Sequence, residues 1–395
     1  MNSMRIQAIE YRCKAETFAR RKRIKYSYYF KNKSDINLSH ITYYASNNVG
    51  DTVLSDTVRT GFEHFFDETL SWCLYDVSDR VSKKEIEKFN ASSAIVIGGG
   101  GLFLPDTNRN SLSGWQWSYS PEQLEAITKP IVLFSVGYNY FRNQEVDNRF
   151  VSSLTDLVRK SSFVGLRNHG SIRTVQSLLS PEIAQKVVFQ PCLTTLISKI
   201  GYVLPEKQKN NNIAINIAYD RIEARLGVHK KEILSSVAEA AKELERKGYN
   251  IFYIAHISKD LEFVNFLHEM NVKAKVVCAS SWSSQKLINF YRNMDFVIGM
   301  RGHAQMIPFG VDTQILTLGS HDKMKWFLED INAEDWYIEL TEDPSSLKER
   351  IIDKFSTIHE KQNIESDERI NDAKNFLYEE TKKNFEIINK VITIK

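Results

Sequence analysis

Three side chains that bind anions or move protons follow two predicted strands in the second half of the chain. Arg301 and His303 stand two residues apart just after the apolar run Asp295–Gly299, and Lys323 follows the run Thr313–Leu318. Guanidinium and ammonium groups bind carboxylates and phosphates, and imidazole transfers protons near neutrality. A lone histidine or lysine is more often a core or a solvated residue. Their convergence on one sheet edge instead predicts an anion clamp beside an acid–base group.

Further polar residues follow predicted strands of the first half. Asn48 and Asp51 come after Ile41–Ala45, with Gly50 between them permitting a tight turn, and a helix is expected to start near Asp51. A plain helix-capping role for Asp51 is the alternative. Arg167 follows Phe163–Leu166 and offers a planar fork for a carboxylate or phosphate, although a surface ion pair explains it equally well in isolation. Ser171 is expected to cap the next helix.

Four consecutive glycines, Gly98, Gly99, Gly100 and Gly101, follow the run Ala94–Ile97. Such a loop lets backbone amides approach an anionic ligand, and a flexible turn is the plainer interpretation. The pattern is neither GxGxxG nor a P-loop, because no Lys-Ser/Thr pair follows it, so a nucleotide cofactor is not predicted.

Aromatic side chains are candidates for holding a sugar. Trp115, Trp117 and Tyr119 alternate with polar residues, and Tyr138 follows another predicted strand. We expect Trp115, Trp117 and Tyr138 to contact an acceptor, while ordinary core packing is an equal expectation for the 115–119 group.

The elements that position these residues alternate between strand and helix along nearly the whole chain. Apolar runs such as Ile131–Val136 and Asn250–Ala255 alternate with helical patterns such as His229–Lys247. The polar stretch Pro205 to Asn212 interrupts the alternation and is predicted to be a linker. The pattern favours an α/β fold with two doubly wound Rossmann-like domains facing across a cleft. We expect a basic extension at 1–40, domains at 41–204 and 205–343, and a helical tail at 344–395 that packs back on them.

Composition limits the class of protein. Apolar residues make up 42% and charged residues 26% of the 395, with a net charge of +3 that gives no reason to expect nucleic acid as a partner. The four cysteines (Cys13, Cys73, Cys192, Cys278) lack metal-site spacing, and no His/Asp/Glu set has it either, so no metal is expected. With no secretory signal and no apolar run long enough for a membrane span, the chain is expected to be cytoplasmic.

Positive charge is concentrated near the start of the chain. Nine cations are interleaved there with Tyr26, Tyr28, Tyr29 and Phe30: Arg12, Lys14, Arg20, Arg21, Lys22, Arg23, Lys25, Lys31 and Lys33. A segment of this kind suits anionic lipid head groups or a diphosphate-linked acceptor, so peripheral contact with a membrane is one interpretation. A solvated first helix is the favoured alternative.

In order along the chain, these motifs resemble the polysaccharide pyruvyltransferase family. The resemblance is carried by Asn48-x-Gly50-Asp51, the glycine run, Ser135-x-Gly137, Arg167 with Ser171, and Arg301-x-His303 with Lys323. It spans roughly 41–330. The chain departs from the family's frequent residues at Met300, Gly302, Asn168 and Gln190.

The resemblance implies a GT-B-like fold, phosphoenolpyruvate as the donor and no cofactor. It also implies functional roles for Arg167, Arg301, His303 and Lys323. The acceptor would be a saccharide of a surface polysaccharide, whether or not it is linked to a lipid diphosphate. We expect Arg167, Arg301 and Lys323 to clamp the donor with help from Asn48 and the glycine amides, His303 to act as general acid/base, and Asp51 to activate a hydroxyl.

Two other functions remain open from the sequence. One is a nucleotide-sugar glycosyltransferase of the same architecture, against which the lack of an E-x7-E pair after His303 counts. The other is a non-catalytic sugar-binding protein of a polysaccharide assembly cluster, which would leave the convergence of Arg301, His303 and Lys323 unexplained.

Overall fold

The computed structural model describes residues 7–9, 11–12, 15–16, 18–19, 36–44, 46–105, 108–140, 144–361 and 363–393. Its contacts divide the chain into two compact units. Unit 1 comprises Met1–Arg20, Ser46–Val53 and Thr194–Asn375, and unit 2 comprises Arg21–Ala45, Leu54–Leu193 and Phe376–Lys395. The division therefore falls at 193/194 rather than at the predicted 204/205, and the Asn48–Asp51 segment belongs with the C-terminal half of the chain.

Unit 2 is built on a six-stranded parallel sheet. Its strands are β1 (Ile36–Thr42), β2 (Leu70–Asp76), β3 (Ala94–Phe103), β4 (Ile131–Tyr138), β5 (Phe163–Leu166) and β6 (Val187–Phe189), in the spatial order β2-β1-β3-β4-β5-β6. All eight residues of β4 are buried, as expected of a strand covered on both faces. The strand order reverses between β1 and β3, which makes that point the topological switch of this sheet.

Helices connect these strands. They are α1 (Val49–Phe65), α2 (Lys83–Asn90), α3 (Pro121–Glu125), α4 (Asn148–Lys160), α5 (His169–Ser177) and α6 (Pro181–Ala184). The buried Phe150, Leu154, Leu157 and Val158 of α4 follow helical spacing, so one face of the helix enters the core.

Unit 1 contains a second six-stranded parallel sheet. Its strands are β7 (Asn212–Asn216), β8 (Asn250–Ala255), β9 (Lys275–Cys278), β10 (Phe296–Gly299), β11 (Gln314–Gly319) and β12 (Tyr337–Glu339), in the order β12-β11-β10-β7-β8-β9. This is the Rossmann order, with the switch point between β7 and β10. The strands that carry the predicted Arg301, His303 and Lys323 are therefore neighbours, because β10 pairs with both β7 and β11.

The helices of the second half alternate with these strands. They are α7 (Ile222–Leu226), α8 (Lys230–Arg246), α9 (Val264–Glu269), α10 (Ser284–Arg292), α11 (His303–Gly310), α12 (Asp322–Asp330), α13 (Leu347–Phe355) and α14 (Asn363–Thr393). The predicted helical tail is thus helical, although its long helix contributes to both units. In unit 1, Lys374 of α14 donates to the Ser198 hydroxyl at 2.8 Å.

Residues 376–393 of α14 complete the core of unit 2. The Phe385 ring is 2% exposed and lies 4.9 Å from the ring of Phe62 and 5.3 Å from that of Phe134. Asn384 donates to the Phe189 carbonyl at 2.7 Å and to the Gln190 amide oxygen at 3.0 Å. Gln190 therefore helps hold this helix in place.

Several predicted boundaries differ from the structure. The first strand begins at Ile36, inside the predicted extension, and ends at Thr42 instead of Ala45. Helix α1 begins at Val49, so Asp51 lies in its first turn rather than before it. Gly98–Gly101 do not form a loop after a strand but lie within β3. Of the basic extension, Lys14, Arg20–Arg23, Lys25, Lys31 and Lys33 lie outside the described residues, so its contact with a membrane stays a prediction.

Candidate active site

The candidate residues of unit 1 meet at the carboxyl ends of its central strands. Asp220 follows β7, His256 follows β8, Arg301 and His303 follow β10, and Lys323 follows β11. In open α/β sheets this edge, next to the switch point, is where ligands bind. The predicted convergence of the strand ends is therefore present within unit 1.

Arg301 is held by two carboxylates that the sequence did not single out. Asp260 binds it with both oxygens, at 2.7 Å from Nε and 2.6 Å from Nη2, and Asp220 accepts a further bond from Nη2. The Arg301 side chain is 10% exposed and that of Asp260 is fully buried. Neither carboxylate engages Nη1. Arg301 is thus an internally paired guanidinium rather than an open anion clamp.

Asp260 also accepts three backbone N–H groups. Its carboxylate oxygens accept hydrogen bonds from the backbone N–H groups of Tyr219 at 3.0 Å, His256 at 3.2 Å and Ile257 at 3.3 Å. One buried carboxylate thereby connects the ends of β7, β8 and β10. Full hydrogen bonding is the condition under which a buried charge is tolerated.

The ion pairs decide the charge states of Arg301 and Asp220. Burial alone would raise the pKa of Asp220, but Arg301, then Arg225, then Lys323 outweigh it and hold that pKa well below its usual range. Burial alone would lower the pKa of Arg301, but Asp260 and Asp220 raise it instead. Arg301, Arg225 and Lys323 thus all act on the Asp220 carboxylate, so several cations gather near the ends of β7, β10 and β11.

Arg225 ties Asp220 to the end of β11. Its Nη2 lies 3.2 Å from the Asp220 carboxylate and its Nη1 lies 3.4 Å from the Ser320 hydroxyl. Lys323, half-buried in the first turn of α12, has its backbone N–H 3.5 Å from Nδ1 of His321, the capping residue of that helix. The charge of Lys323 also lowers the pKa of Asp220, after the larger effects of Arg301 and Arg225.

His303 and Asp51 form a carboxylate–imidazole pair. The distance from His303 Nδ1 to Asp51 Oδ1 is 3.6 Å, and the other carboxylate oxygen accepts from the Ser46 hydroxyl at 3.2 Å. A Cβ added to Gly50 would lie 2.6 Å from His303 Cβ and 2.8 Å from Nδ1. The residue before Asp51 must therefore be glycine for the imidazole to sit beside the carboxylate.

The turn that carries Asp51 is fixed from two sides. The Asn48 side-chain oxygen accepts the Gly50 N–H at 3.1 Å, and the Val49 N–H lies 3.4 Å from the His256 carbonyl. His256 itself is fully buried with its Nε2 2.6 Å from the Tyr291 hydroxyl. Burial, followed by the charges of Arg301 and His303, holds the pKa of His256 well below its ordinary value, so it is neutral. Asn48 thus shapes the turn, and its predicted contact with the donor remains a prediction.

Arg167 lies at the corresponding edge of the sheet in unit 2. Its guanidinium packs over Gly137, because a Cβ on that glycine would be 2.3 Å from Arg167 Nε. Strand pairing sets Gly100, Val136 and Leu166 side by side on β3, β4 and β5. The structure therefore places the glycine run on β3 and Arg167 at the end of β5 in the same sheet, with β4 between them.

The helix after Arg167 is capped by Asn168 rather than by Ser171. The Asn168 side-chain oxygen accepts the Ser171 N–H at 2.7 Å, and the Ser171 hydroxyl accepts the Tyr138 N–H at 3.0 Å. Asparagine suits this position because its short side chain reaches the N3 amide. The predicted cap at Ser171 was wrong, and Ser171 instead joins α5 to the end of β4.

The glycine run is packed against protein on several sides. A Cβ on Gly98, whose φ is +134°, would lie 2.0 Å from the Phe134 carbonyl oxygen, and one on Gly99 would lie 2.9 Å from Leu54. A Cβ on Gly101 would meet Asn139 at 2.9 Å. Close packing therefore accounts for these glycines without a ligand, and donor binding by Gly99, Gly100 and Gly101 stays a prediction.

The aromatic platform predicted at Trp115 and Trp117 was wrong. Both indoles are at most 1% exposed, and their rings pack on each other and on Tyr119 in the core of unit 2. No face is left to stack on a sugar, because aromatic neighbours occupy it. Tyr138 is 7% exposed and stacks on Tyr140 at 4.7 Å, and burial raises its pKa to about 12.

Four residues of the unit 1 site escaped the sequence analysis: Asp220, Arg225, His256 and Asp260. His256 directly follows the predicted strand Asn250–Ala255, and Asp220 stands two residues after the predicted strand Ile213–Ala218, so their position after strands was the available signal. Arg225 and Asp260 lie in helical turns beyond the strand ends, where residue type alone says little.

Two observations bear on other kinds of site. Among the residues that the structure describes, no cluster of three or more His, Cys, Asp or Glu side chains is arranged to hold a metal ion. Within the same residues, no helix has both the length and the apolar character needed to cross a bilayer.

Comparison with solved structures identifies the architecture. A glycosyltransferase from Rickettsia africae matches with a TM-score of 0.54 at 10% identity, over 91% of this chain and 99% of that one. The S. aureus MnaA–UDP structure matches with a TM-score of 0.51 at 11% identity, over 85% of this chain and 91% of that one. The structure of the pneumococcal O-GlcNAc transferase GtfA in complex with UDP and GlcNAc also matches with a TM-score of 0.51 at 11% identity. This match covers 78% of this chain and 58% of that one. The predicted GT-B-like class of two Rossmann-like sheets is confirmed.

Comparison at the level of sequence is more specific. No curated protein matches significantly. The family model described as polysaccharide pyruvyl transferase, however, matches residues 8–322, which include Asn48, Asp51, Arg167, Arg301 and His303. Since the match covers most of the chain, this protein belongs to the polysaccharide pyruvyl transferase family.

Proposed function

We propose that this protein transfers the pyruvyl group of phosphoenolpyruvate to two hydroxyls of a sugar in a surface polysaccharide or its precursor. The product is a cyclic ketal, and phosphate is released. Membership of the family supports pyruvylation of a polysaccharide. The observation that carries the finer proposal is the His303–Asp51 pair, at 3.6 Å, in the same unit as the cations that act on Asp220.

The reaction requires one group that both gives and takes a proton. His303 in its charged form donates a proton to the methylene carbon of the donor, and the central carbon becomes electrophilic. The first sugar hydroxyl adds to that carbon and returns its proton to His303. The bond between the central carbon and the oxygen of the phosphate group then breaks, and phosphate leaves. The second sugar hydroxyl adds to the central carbon and closes the ring, and its proton is carried away by the phosphate. Two hydroxyl protons are thus accounted for, one in the new methyl group and one on phosphate.

Asp51 orients the imidazole in this scheme. A carboxylate next to a histidine fixes the ring and stabilises its charged form. Gly50 allows this approach because any side chain there would collide with the ring. Asp51 is accordingly assigned to positioning His303, and its activation of a hydroxyl is retained as the second role.

The donor carries a carboxylate and a phosphate, both of which need cations. Lys323 and Nη1 of Arg301 are the cations assigned to it in unit 1. The role in donor binding that the sequence predicts for Arg167 remains a prediction. Asp260 and Asp220 accept hydrogen bonds from Nε and Nη2 of Arg301, so Nη1 is the guanidinium nitrogen that is assigned to the donor.

The direct test is turnover with phosphoenolpyruvate and a panel of glycosides, followed as a mass gain with release of phosphate. A positioned acid–base group contributes roughly 10²–10⁴-fold, so His303→Ala should lose at least about 100-fold in kcat. His229→Ala, at a half-exposed histidine paired with Glu232, is the matched control and should retain full activity. Normal turnover by a folded His303→Ala protein would refute the role assigned to His303.

A nucleotide-sugar glycosyltransferase is the chief competing function. Thermal stabilisation distinguishes the two, because a ligand at 100 times its dissociation constant adds about 2.7 kcal/mol to the free energy of unfolding. We expect phosphoenolpyruvate to raise the melting temperature and UDP-sugars to leave it unchanged. The reverse result would favour the glycosyltransferase, and a response to saccharides alone would favour a non-catalytic sugar-binding protein.

A further inference from the structure

The two ring nitrogens of His256 differ in their surroundings. Nε2 lies 2.6 Å from the Tyr291 hydroxyl, whereas Nδ1 has no hydrogen-bond partner among the residues that the structure describes. Both side chains are fully buried. Buried polar atoms are nearly always hydrogen-bonded, so an unpaired one beside a candidate active site marks a candidate contact with a ligand.

The Tyr291 hydroxyl decides which nitrogen of this imidazole carries the hydrogen. Burial raises the pKa of Tyr291 well above its ordinary value, so the oxygen keeps a hydrogen to donate. Within the described part of the chain, Nε2 of His256 is the one hydrogen-bond partner of that hydroxyl. Nε2 therefore accepts, and because the ring is neutral, its own hydrogen is on Nδ1. His256 thus has an N–H donor with no acceptor in the described protein.

The backbone of His256 joins the two parts of the candidate active site. Its N–H donates at 3.2 Å to Oδ2 of Asp260, the same oxygen that accepts Nε of Arg301 at 2.7 Å. Its carbonyl accepts the Val49 N–H at 3.4 Å, in the first turn of the helix that carries Asp51. The unpaired Nδ1–H therefore belongs to a residue that contacts both the Arg301 network and the Asp51 turn.

We propose that the Nδ1–H group of His256 binds an anionic oxygen of the donor. The inference rests on the proposed function, since it names a contact with phosphoenolpyruvate. The carboxylate and the phosphate of that molecule both present acceptor oxygens, and a hydrogen bond to an oxyanion is stronger than one between neutral groups.

A neutral imidazole suits this place better than a second cation. A charged ring would repel the charged form of His303, whereas a neutral ring adds a hydrogen bond without that cost. Enclosure does not separate His256 from the groups assigned to the reaction, because the side chains of Arg301 and His303 are themselves only 10% and 9% exposed.

Two substitutions at position 256 separate the proposed contact from the bond to Tyr291. The side-chain amide nitrogen of asparagine reaches the place of Nδ1, and that of glutamine reaches the place of Nε2. His256→Asn therefore keeps a donor for the ligand and loses the bond to Tyr291, whereas His256→Gln keeps a group beside Tyr291 and loses the donor. A purely structural role for the imidazole predicts the opposite order of effects.

The measurement is the Kd of phosphoenolpyruvate by isothermal titration calorimetry. We expect His256→Asn to stay within about threefold of the wild type and His256→Gln to bind roughly 10- to 100-fold more weakly, because it loses a hydrogen bond to a charged group. The same comparison with inorganic phosphate and with pyruvate tells which group of the donor supplies the oxygen. His229→Asn and His229→Gln, at a half-exposed histidine, are the matched controls and should leave the Kd unchanged.

Nitrogen-15 NMR of the histidine-labelled wild type gives a second measurement that does not depend on the folding of a variant. We expect His256 to show a protonated Nδ1 and a bare Nε2, and its Nδ1–H signal to move when phosphoenolpyruvate is added. Melting temperatures will show whether the two variants are folded at the temperature of the titration.

Several results would overturn the proposal. Weaker binding by His256→Asn than by His256→Gln would make the imidazole a structural partner of Tyr291 alone. Equal affinities in the two variants, a hydrogen on Nε2 instead of Nδ1, or a raised KM for the saccharide with an intact Kd for phosphoenolpyruvate would overturn it as well. Failure of the wild type to bind phosphoenolpyruvate would refute the proposed function itself, whereas normal binding without a difference between the variants would refute the His256 contact alone.

Discussion

Replacing Asp260 should destabilise unit 1 far more than replacing a geometrically similar aspartate at the surface. The carboxylate is fully buried and accepts five hydrogen bonds, two from Arg301 and three from backbone N–H groups. Asp260→Asn keeps the shape but removes the charge, and Arg301 retains its bond to Asp220. Breaking a buried ion pair from one side costs about 3–5 kcal/mol.

The expected shift in melting temperature follows from the size of the unit. At about 2–4 °C per kcal/mol for a unit of this length, Asp260→Asn should lower the melting temperature of unit 1 by roughly 6–20 °C. Differential scanning calorimetry measures this directly. Asp260→Ala should melt lower still, because the three backbone N–H groups then lose their acceptor.

Asp335→Asn supplies the control for Asp260. Asp335 also binds an arginine with both oxygens, at 3.0 Å and 2.7 Å from Arg369, but its side chain is 50% exposed. Exposed pairs contribute about 0–1 kcal/mol, so this variant should melt within a few degrees of the wild type. If Asp260→Asn shifted the melting temperature no more than Asp335→Asn, the buried network would not be the element that holds the strand ends together.

Three further predictions use other parts of the molecule. Gly50→Ala should lower kcat at least tenfold in the phosphate-release assay, because its methyl group would displace the His303 ring, and misplacement of a catalytic group by ~1 Å costs up to about 100-fold. His40→Gln should flatten the pH dependence of unit 2 stability between about pH 6.5 and 3, measured by urea unfolding. Phe385→Ala should destabilise unit 2 by about 3–5 kcal/mol, while Phe376→Ala, at a 47% exposed ring, should cost much less.

The sign of the His40 prediction follows from its buried, neutral state. Its Nε2 donates to the Gly98 carbonyl at 2.5 Å, and Arg59 Nη1 donates to its Nδ1 at 3.2 Å, so the ring has no place for a second proton. Burial, then the charge of Arg59, lowers its pKa to about 3. The unfolded chain binds a proton below about pH 6.5 and the folded one does not, so stability is full above that pH and falls as the pH drops toward 3.

Results that would contradict these three predictions are equally concrete. An unchanged kcat in Gly50→Ala would mean that the ring tolerates the methyl group. A wild-type urea midpoint that stays constant from pH 6.5 to 4 would mean that His40 is protonated in the folded state. Equal losses of stability in Phe385→Ala and Phe376→Ala would mean that burial of the Phe385 ring does not decide the stability of unit 2.

Much of the fold was predictable because parallel strands leave a strong signal. Phe163–Leu166 and Asn250–Ala255 were predicted to the residue, since a strand covered on both faces is a short continuous apolar run. The edge strands β2, β6 and β12 were missed. β6 and β12 have only three residues each, and a strand of that length is too short to show a recognisable pattern of apolar residues.

The candidate site was predictable in part, for a physical reason. Residues directly after buried strands, such as Arg301 and His303, are placed by topology alone. The partners of Arg301 are not, because Asp260 reaches it from a helical turn 41 positions away in sequence. Glycine likewise has two uses that sequence cannot separate: Gly50 makes room for a functional ring, whereas Gly98 makes room for the backbone of the next strand.

The core of unit 2 depends on residues far apart in the chain. Its last strand, β6, ends at Phe189, and the ring of Phe385, nearly two hundred positions later, fills the space between Phe62 and Phe134. During synthesis on the ribosome, the core of unit 2 can therefore be completed only after the Thr194–Asn375 segment of unit 1 has been synthesised. A nascent chain arrested before α14 would expose those phenylalanines to chaperones, and the first half of the protein would be the last to become resistant to proteolysis.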